Sequence, residues 1–163
     1  MIPAPSTANT SALSFAHELG VRYSEGLYKN TFIGRTFIMP KQAERKKSVK
    51  YKLVPQELEI RDKKVLIVDD SIVRGNTSRE IVRMLKDFGA KEVYFAVACP
   101  PVKSPCFYGV DMPTKSELIA GNMNEDEIGK YLEVDALLYQ NIDDLVEAVT
   151  RKGDHHIDTP CMA

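Results

Sequence analysis

The residues best placed to do chemistry are two adjacent carboxylates, Asp69 and Asp70, which follow four branched apolar residues at 65–68. Gly75 then permits the backbone angles of a tight loop, and the residues after it supply the first amides of an amphipathic helix. The apolar positions of that helix are Ile81, Val82, Leu85 and Phe88. Unpaired amides at a helix start bind anions. Such a loop beside carboxylates that accept hydroxyl hydrogens or hold a divalent metal predicts a sugar phosphate site.

The same segment matches neither of two better known phosphate-binding motifs. It lacks both the lysine of GxxxxGK[ST] and the spacing of GxGxxG. Taken alone, Asp69 and Asp70 could also do no more than cap and solubilise the start of a helix. That alternative stays open on these residues.

A second candidate region is the strongly basic segment at 29–53, which has a single acid, Glu44. One interpretation is a solvated basic hairpin or helix; the other is a loop that closes over an anion. Apolar residues inside the run favour a loop that packs when closed: Phe32, Ile33, Phe37, Ile38 and Met39. Its basic residues are Lys29, Arg35, Lys41, Arg45, Lys46, Lys47, Lys50 and Lys52.

The elements that must position these residues alternate along the chain. Apolar runs predict strands at 23–28, 65–68, 92–98 and 136–140, and apolar periodicity predicts helices near 8–19, 78–88, 115–132 and 142–150. The third helical region splits in two, because Thr114 with Glu117 and Asn124 with Glu127 have the spacing of capping boxes. The order predicts an α/β fold with a parallel sheet over 1–150, followed by a loosely ordered tail at 151–163.

Composition limits the function classes. The chain has 163 residues, 44% of them hydrophobic, and a net charge of −1. This near-neutral balance, without a basic face interleaved with aromatics, argues against nucleic-acid binding. No apolar stretch reaches membrane-spanning length and the N-terminus has no signal-peptide pattern, so we expect a cytoplasmic protein that does not contact a membrane.

Three segments together resemble a known family. DDSIVRGNT at 69–77 resembles the phosphoribosyl pyrophosphate (PRPP) motif of type I phosphoribosyltransferases, and KNTFIGRTFIMPKQ at 29–42 and FYGVDMPTKSELIA at 107–120 narrow the resemblance to glutamine phosphoribosylpyrophosphate amidotransferases. The resemblance implies the parallel-sheet type I phosphoribosyltransferase fold. It also implies conversion of PRPP and glutamine-derived ammonia to 5-phosphoribosylamine and diphosphate, the first committed step of purine synthesis.

The resemblance assigns roles to individual residues. Asp69 and Asp70 would bind the ribose hydroxyls and a magnesium shell, to which Thr7 would contribute, although Ser6 stands where the family usually has an acid. Catalysis would rest on Asp69, Asp70 and Lys29. PRPP would be bound by Lys29, Arg35, Asp69, Asp70, Ser71, Arg74, Gly75, Asn76, Thr77 and Ser78.

The resemblance also gives the basic segment a role and implies a longer protein. The basic segment would be a lid that folds over the diphosphate and excludes water. The chain would begin inside the transferase domain, truncated at its N-terminal side, behind an N-terminal glutaminase domain. We expect purine nucleotides as further ligands and a homo-oligomeric parent enzyme.

The cysteines divide into two kinds. Cys99 lies in an apolar run and is most simply a core residue. Cys106 and Cys161 read as ordinary free thiols by themselves, but Cys106 stands where some family members carry a ligand of a [4Fe-4S] cluster. The resemblance therefore predicts that both contribute to a cluster in a full-length parent, and that this chain alone carries none.

Two functions from different classes remain at this point. In the first, the chain is the catalytic transferase part of the amidotransferase, inactive by itself with glutamine. In the second, it is a non-catalytic module that binds PRPP or a nucleotide. Ammonia-dependent release of diphosphate separates them.

Overall fold

A four-stranded parallel sheet forms the centre of the computed structural model, which describes residues 1–30, 53–105 and 114–150. The spatial order of its strands is β1, β4, β5 and β6, and every neighbouring pair is parallel. The α/β prediction with a parallel sheet is thus confirmed. The strands are β1 (Ile2–Pro3), β4 (Lys64–Asp69), β5 (Glu92–Val97) and β6 (Ala136–Tyr139).

The strand predicted at 23–28 is the one misplaced element. The structure instead has β2 (Leu27–Lys29), which pairs antiparallel with β3 (Leu53–Pro55) in a separate two-stranded sheet. Only Leu27 of β2 is buried, whereas β4 of the parallel sheet buries residues on both faces. The edge of β4 is occupied by β1, whose Ile2 is in register with Ile67.

The helices lie close to their predicted positions. Asn124 accepts a hydrogen bond from the amide of Glu127 at 3.0 Å, and Glu127 accepts one from the amide of Asn124 at 2.9 Å, which confirms that capping box. Thr114 likewise donates its amide to Glu117 at 3.0 Å, at the start of a 3₁₀ turn at Lys115–Glu117. The helices are α1 (Asn9–Leu19), α2 (Glu57–Ile60), α3 (Asn76–Asp87), α4 (Ile119–Asn122), α5 (Glu125–Leu132) and α6 (Ile142–Thr150).

The alternation of side chains along β4 explains its unbroken apolar run. Val65 and Ile67 belong to the main core, with Ile81 and Leu85 of α3. Val68 lies on the opposite face, where it packs with Ala12 of α1 and Ala96. Each such burial stabilises the fold by about 1.5–3 kcal/mol relative to exposure. Because β4 is packed on both faces, its position is well defined. The position of the acidic residues at its end is therefore also well defined.

Among the described residues, no helix is both long and apolar enough to cross a lipid bilayer.

Candidate functional site

The acidic pair at the end of β4 differs sharply in burial. Asp69 is the last residue of the strand and is 9% exposed, whereas Asp70 is exposed. The amide of Asp70 donates to Oδ1 of Asp69 at 2.9 Å, and the amide of Ser71 donates to Oδ1 of Asp70 at 2.8 Å. Each carboxylate is therefore held by the backbone of the next residue.

The electrostatics of Asp69 are those of a buried acid without a compensating cation. Burial, followed by its hydrogen bond with the Asp70 side chain, raises the pKa of Asp69 to about 7. No basic side chain in the described ranges forms an ion pair with it. A divalent cation or a ribose hydroxyl would offset that desolvation, so the two carboxylates fit magnesium by charge and by ligand type.

The loop from Ser71 to Ser78, called the anion loop here, ends in a helix start of unusual shape. Gly75 precedes α3 in the left-handed conformation, with φ of 74°. A side chain at that position would meet Ile119 at 2.8 Å and Tyr131 at 3.2 Å, so the site favours glycine on two grounds. Among the described residues, no side chain caps this helix start. Its first amides thus remain open to an anion, because a helix leaves four N–H groups without internal partners.

One cavity of about 510 Å³ gathers the predicted site residues. It lies where β4 ends and α3 begins, and it is also lined by Ala4, Pro5 and Leu53. Every predicted magnesium or PRPP residue within the described ranges contributes to its wall. These residues are Thr7, Lys29, Asp69, Asp70, Ser71, Arg74, Gly75, Asn76, Thr77 and Ser78.

Several predicted residues lie outside the described residues. Arg35 and the rest of the basic segment from 31 to 52 fall there, as do Cys106 and Cys161. The lid and cluster predictions therefore stay predictions. Cys99 is half-buried rather than fully enclosed, and burial raises the pKa of its thiol.

Glu117 and Ile119, which the sequence did not indicate as site residues, form hydrogen bonds with the anion loop. Nε of Arg74 donates to Oε1 of Glu117 at 3.0 Å, and the amide of Ile119 donates to the carbonyl of Val73 at 2.9 Å. Arg74 thus lines the cavity with its guanidinium already paired. The capping-box spacing marked Glu117 only as a helix-start residue, and nothing in the sequence links it to Arg74.

The comparisons with known proteins agree with this geometry. The phosphoribosyl transferase domain family matches residues 16–112, which include the acidic pair and the anion loop. The chain belongs to this family.

Within it, the chain is similar to amidophosphoribosyltransferases, as its three motifs predicted. It is 51% identical over 150 residues to the amidophosphoribosyltransferase of Methanocaldococcus jannaschii. This match covers 92% of this chain and 32% of that protein. A solved structure of the allosteric regulatory enzyme of purine biosynthesis is 39% identical, with a TM-score of 0.85 over 99% of this chain and 36% of its own.

A second solved structure is the glutamine PRPP amidotransferase of B. subtilis in complex with ADP and GMP. It is 41% identical, with a TM-score of 0.82, and the match covers 98% of this chain and 34% of that one. The chain thus has the type I phosphoribosyltransferase fold and spans about a third of the length of these relatives.

Proposed function

We propose that this chain is the phosphoribosyltransferase part of an amidophosphoribosyltransferase. It would bind PRPP and replace its diphosphate with ammonia, giving 5-phosphoribosylamine in the first step of de novo purine biosynthesis. The observation that carries the proposal is the single cavity in which the acidic pair, Asp69 and Asp70, lies beside the uncapped start of α3. A sugar phosphate needs the acidic pair for its hydroxyls and the helix start for its phosphate.

The positions of the residues in the cavity support the roles that the resemblance implies. Asp69 and Asp70 would accept hydrogen bonds from the ribose hydroxyls and would hold a magnesium ion, with Thr7 on the neighbouring wall of the cavity. The anion loop binds the 5′-phosphate through the first amides of α3. Lys29 places a positive charge at the cavity wall for the diphosphate. Magnesium, when bound, would neutralise charge on the departing diphosphate.

The reaction asks little of acid or base catalysis. Ammonia is already a nucleophile and diphosphate leaves as a stabilised anion, so the demands are positioning and charge neutralisation. Both can be met by residues held on rigid elements. Asp69 ends a strand with two covered faces, and the anion loop leads directly into α3.

Partners outside this chain belong to the same proposal. Ammonia would come from a glutaminase domain in a longer protein, and we expect that protein to be homo-oligomeric and cytoplasmic. The ADP and GMP bound by the B. subtilis relative favour purine nucleotides as further ligands here. Cys106 and Cys161 stay candidates for a [4Fe-4S] cluster of the longer protein.

Calorimetry with PRPP and magnesium tests the site, and diphosphate release in ammonium buffer tests the reaction. Asp69→Asn combined with Asp70→Asn should abolish magnesium-dependent PRPP binding and leave the fold intact, because the pair lies at a strand end. The matched control is Asp143→Asn with Asp144→Asn, an adjacent pair of exposed acids on α6, which should bind PRPP like the unmodified chain.

Three outcomes separate the candidate functions. Binding with ammonia-dependent diphosphate release supports the transferase. Binding without release supports the non-catalytic module instead. A double variant at 69 and 70 that binds PRPP as tightly as the unmodified chain would remove the site assignment.

A further inference from the structure

Tyr131 of α5 contacts the anion loop from outside the cavity. It is not one of the described residues that line the cavity. Its hydroxyl donates to Oδ1 of Asn76, the first residue of α3, at 3.2 Å. Its ring edge lies 3.2 Å from the position that a Cβ on Gly75 would occupy. One side chain therefore touches both residues at which the loop becomes a helix.

The ring of Tyr131 is itself held by an ion cluster. The guanidinium of Arg79 lies over the ring, 4.6 Å from its centroid, at a separation typical of a cation–π contact. Glu133 accepts hydrogen bonds from Arg79 and from Arg83, both at 2.8 Å. We call Arg79, Arg83 and Glu133 the basic bracket.

The basic bracket keeps its charges over a wide pH range. Hydrogen bonds from Arg83 and then Arg79 lower the pKa of Glu133 to about 2. Glu133 takes the left-handed conformation at the end of α5, with φ of 65°, which is costly for a residue other than glycine. Its two arginine partners both lie on α3, so the bracket joins the end of α5 to α3.

The hydrogen bond to Asn76 bears on anion binding. Asparagine side chains near a helix start compete for backbone N–H groups, because their oxygen is a short-range acceptor. Here that oxygen is engaged by Tyr131, and no described side chain caps the helix. The amides of α3 are thereby left to a ligand.

We propose that Tyr131 is a positioning residue for phosphate binding. It holds the side chain of Asn76 and the backbone at Gly75, so that the amides at the start of α3 stay open to the phosphate of the ligand. The inference rests on the proposed function, since the phosphate in question is that of PRPP. Tyr131 would act through these two residues, because it is not among the described residues that line the cavity.

The test compares Tyr131→Phe with a matched control, Tyr94→Phe. Tyr94 also donates its hydroxyl to a side-chain oxygen, in this case on the carboxylate of Glu92, but it lies in β5 away from the anion loop. Tyr131→Phe should weaken PRPP affinity in calorimetry by about threefold to tenfold, the range expected from one lost hydrogen bond. Tyr94→Phe should leave affinity unchanged, and both variants should unfold at similar temperatures.

A double-mutant cycle shows whether Tyr131 acts through Asn76. In an Asn76→Ala background, Tyr131→Phe should cause little further loss of affinity. Equal losses in both backgrounds, or an affinity unchanged by Tyr131→Phe, would overturn the inference and leave the proposed function standing.

Amide resonances of the ligand-free chain separate this inference from the proposed function. Tyr131→Phe should displace the ¹H–¹⁵N signals of Gly75, Asn76 and Thr77, whereas Tyr94→Phe should not. If the unmodified chain fails to bind PRPP, the proposed function fails, and these signals still decide the arrangement of the loop. Unmoved signals in Tyr131→Phe overturn the inference in every case.

Discussion

The pKa of a carboxylate is shifted in opposite directions on the two sides of the anion loop. On the cavity side, Asp69 is buried without a cationic partner in the described ranges, and its pKa rises to about 7. On the other side, Glu133 of the basic bracket has two arginine partners, and its pKa falls to about 2. Within the described ranges, the carboxylate of Asp69 has no cationic partner, whereas the carboxylate of Glu133 has two.

This difference indicates which side binds a ligand and which side supports it. A fold selected for stability alone would pair Asp69 or replace it with an uncharged residue, because an unpaired buried acid is costly. The basic bracket has such pairing, because Arg79 and Arg83 of α3 both bond to Glu133. The buried acid at the end of β4, unpaired within the described ranges, therefore lies on the side that we propose binds the ligand.

The largest expected effect is a gain in stability when the buried charge is removed. The folded pKa of Asp69 is raised from 3.8 to about 7, so its ionisation opposes folding progressively from pH 4 to pH 7, and not below pH 4. Asp69→Asn should raise the free energy of unfolding at pH 8 by at most about 4 kcal/mol. Urea unfolding at pH 4 and pH 8 measures this.

Asp87→Asn is the control, since Asp87 is an exposed acid at the end of α3; it should change the free energy of unfolding by less than about 0.5 kcal/mol. An Asp69→Asn variant with the same stability difference at pH 4 and pH 8 would contradict the assigned charge state.

The second effect concerns the turn between the two sides. Gly75→Ala should destabilise the chain by about 3 kcal/mol, because it adds both left-handed strain and overlap with Ile119 and Tyr131. Gly20→Ala is the matched control: Gly20 has φ of 64°, and a Cβ there has no atom within 4 Å. It should cost only about 1–2 kcal/mol.

Thermal unfolding of the two glycine variants gives this difference directly. Equal losses would mean that α4 and α5 do not press against the loop.

The smallest effect is a pH dependence opposite in sign to that of Asp69. The folded pKa of Glu133 is lowered from 4.5 to about 2, so its ion pairs stabilise the fold above pH 4.5, and this contribution is lost as the pH falls to 2. Glu133→Gln should therefore lower the unfolding temperature at pH 7 and have little effect near pH 2. A loss of equal size at both pH values would point to packing rather than charge.

Local sequence patterns predicted the elements and the cavity side of the site. The apolar run at 65–68 and the spacing of Ile81, Val82 and Leu85 define β4 and α3, and the polar residues between them line the cavity. These signals are contained within about twenty residues of sequence. The local pattern therefore predicted that the acidic pair and the anion loop adjoin, whereas the family resemblance predicted that Thr7 and Lys29 join them.

The supporting side could not be predicted in the same way. Tyr131 lies 55 residues from Asn76, and Arg74 lies 43 residues from Glu117. No periodicity or motif joins residues so far apart, and only the packing of α3, α4 and α5 brings them into contact. The misplaced strand at 23–28 has the same cause, because the partner of β2 is the distant β3.

The most direct test of the central claim is a titration of the ¹⁵N-labelled chain with PRPP and magnesium, followed by amide resonances. The account predicts the largest shifts at Asp70 and through the anion loop, with little change at Lys64 and Glu92, which pair at the opposite end of the sheet. Shifts centred at that opposite end, with the anion loop unmoved, would contradict it.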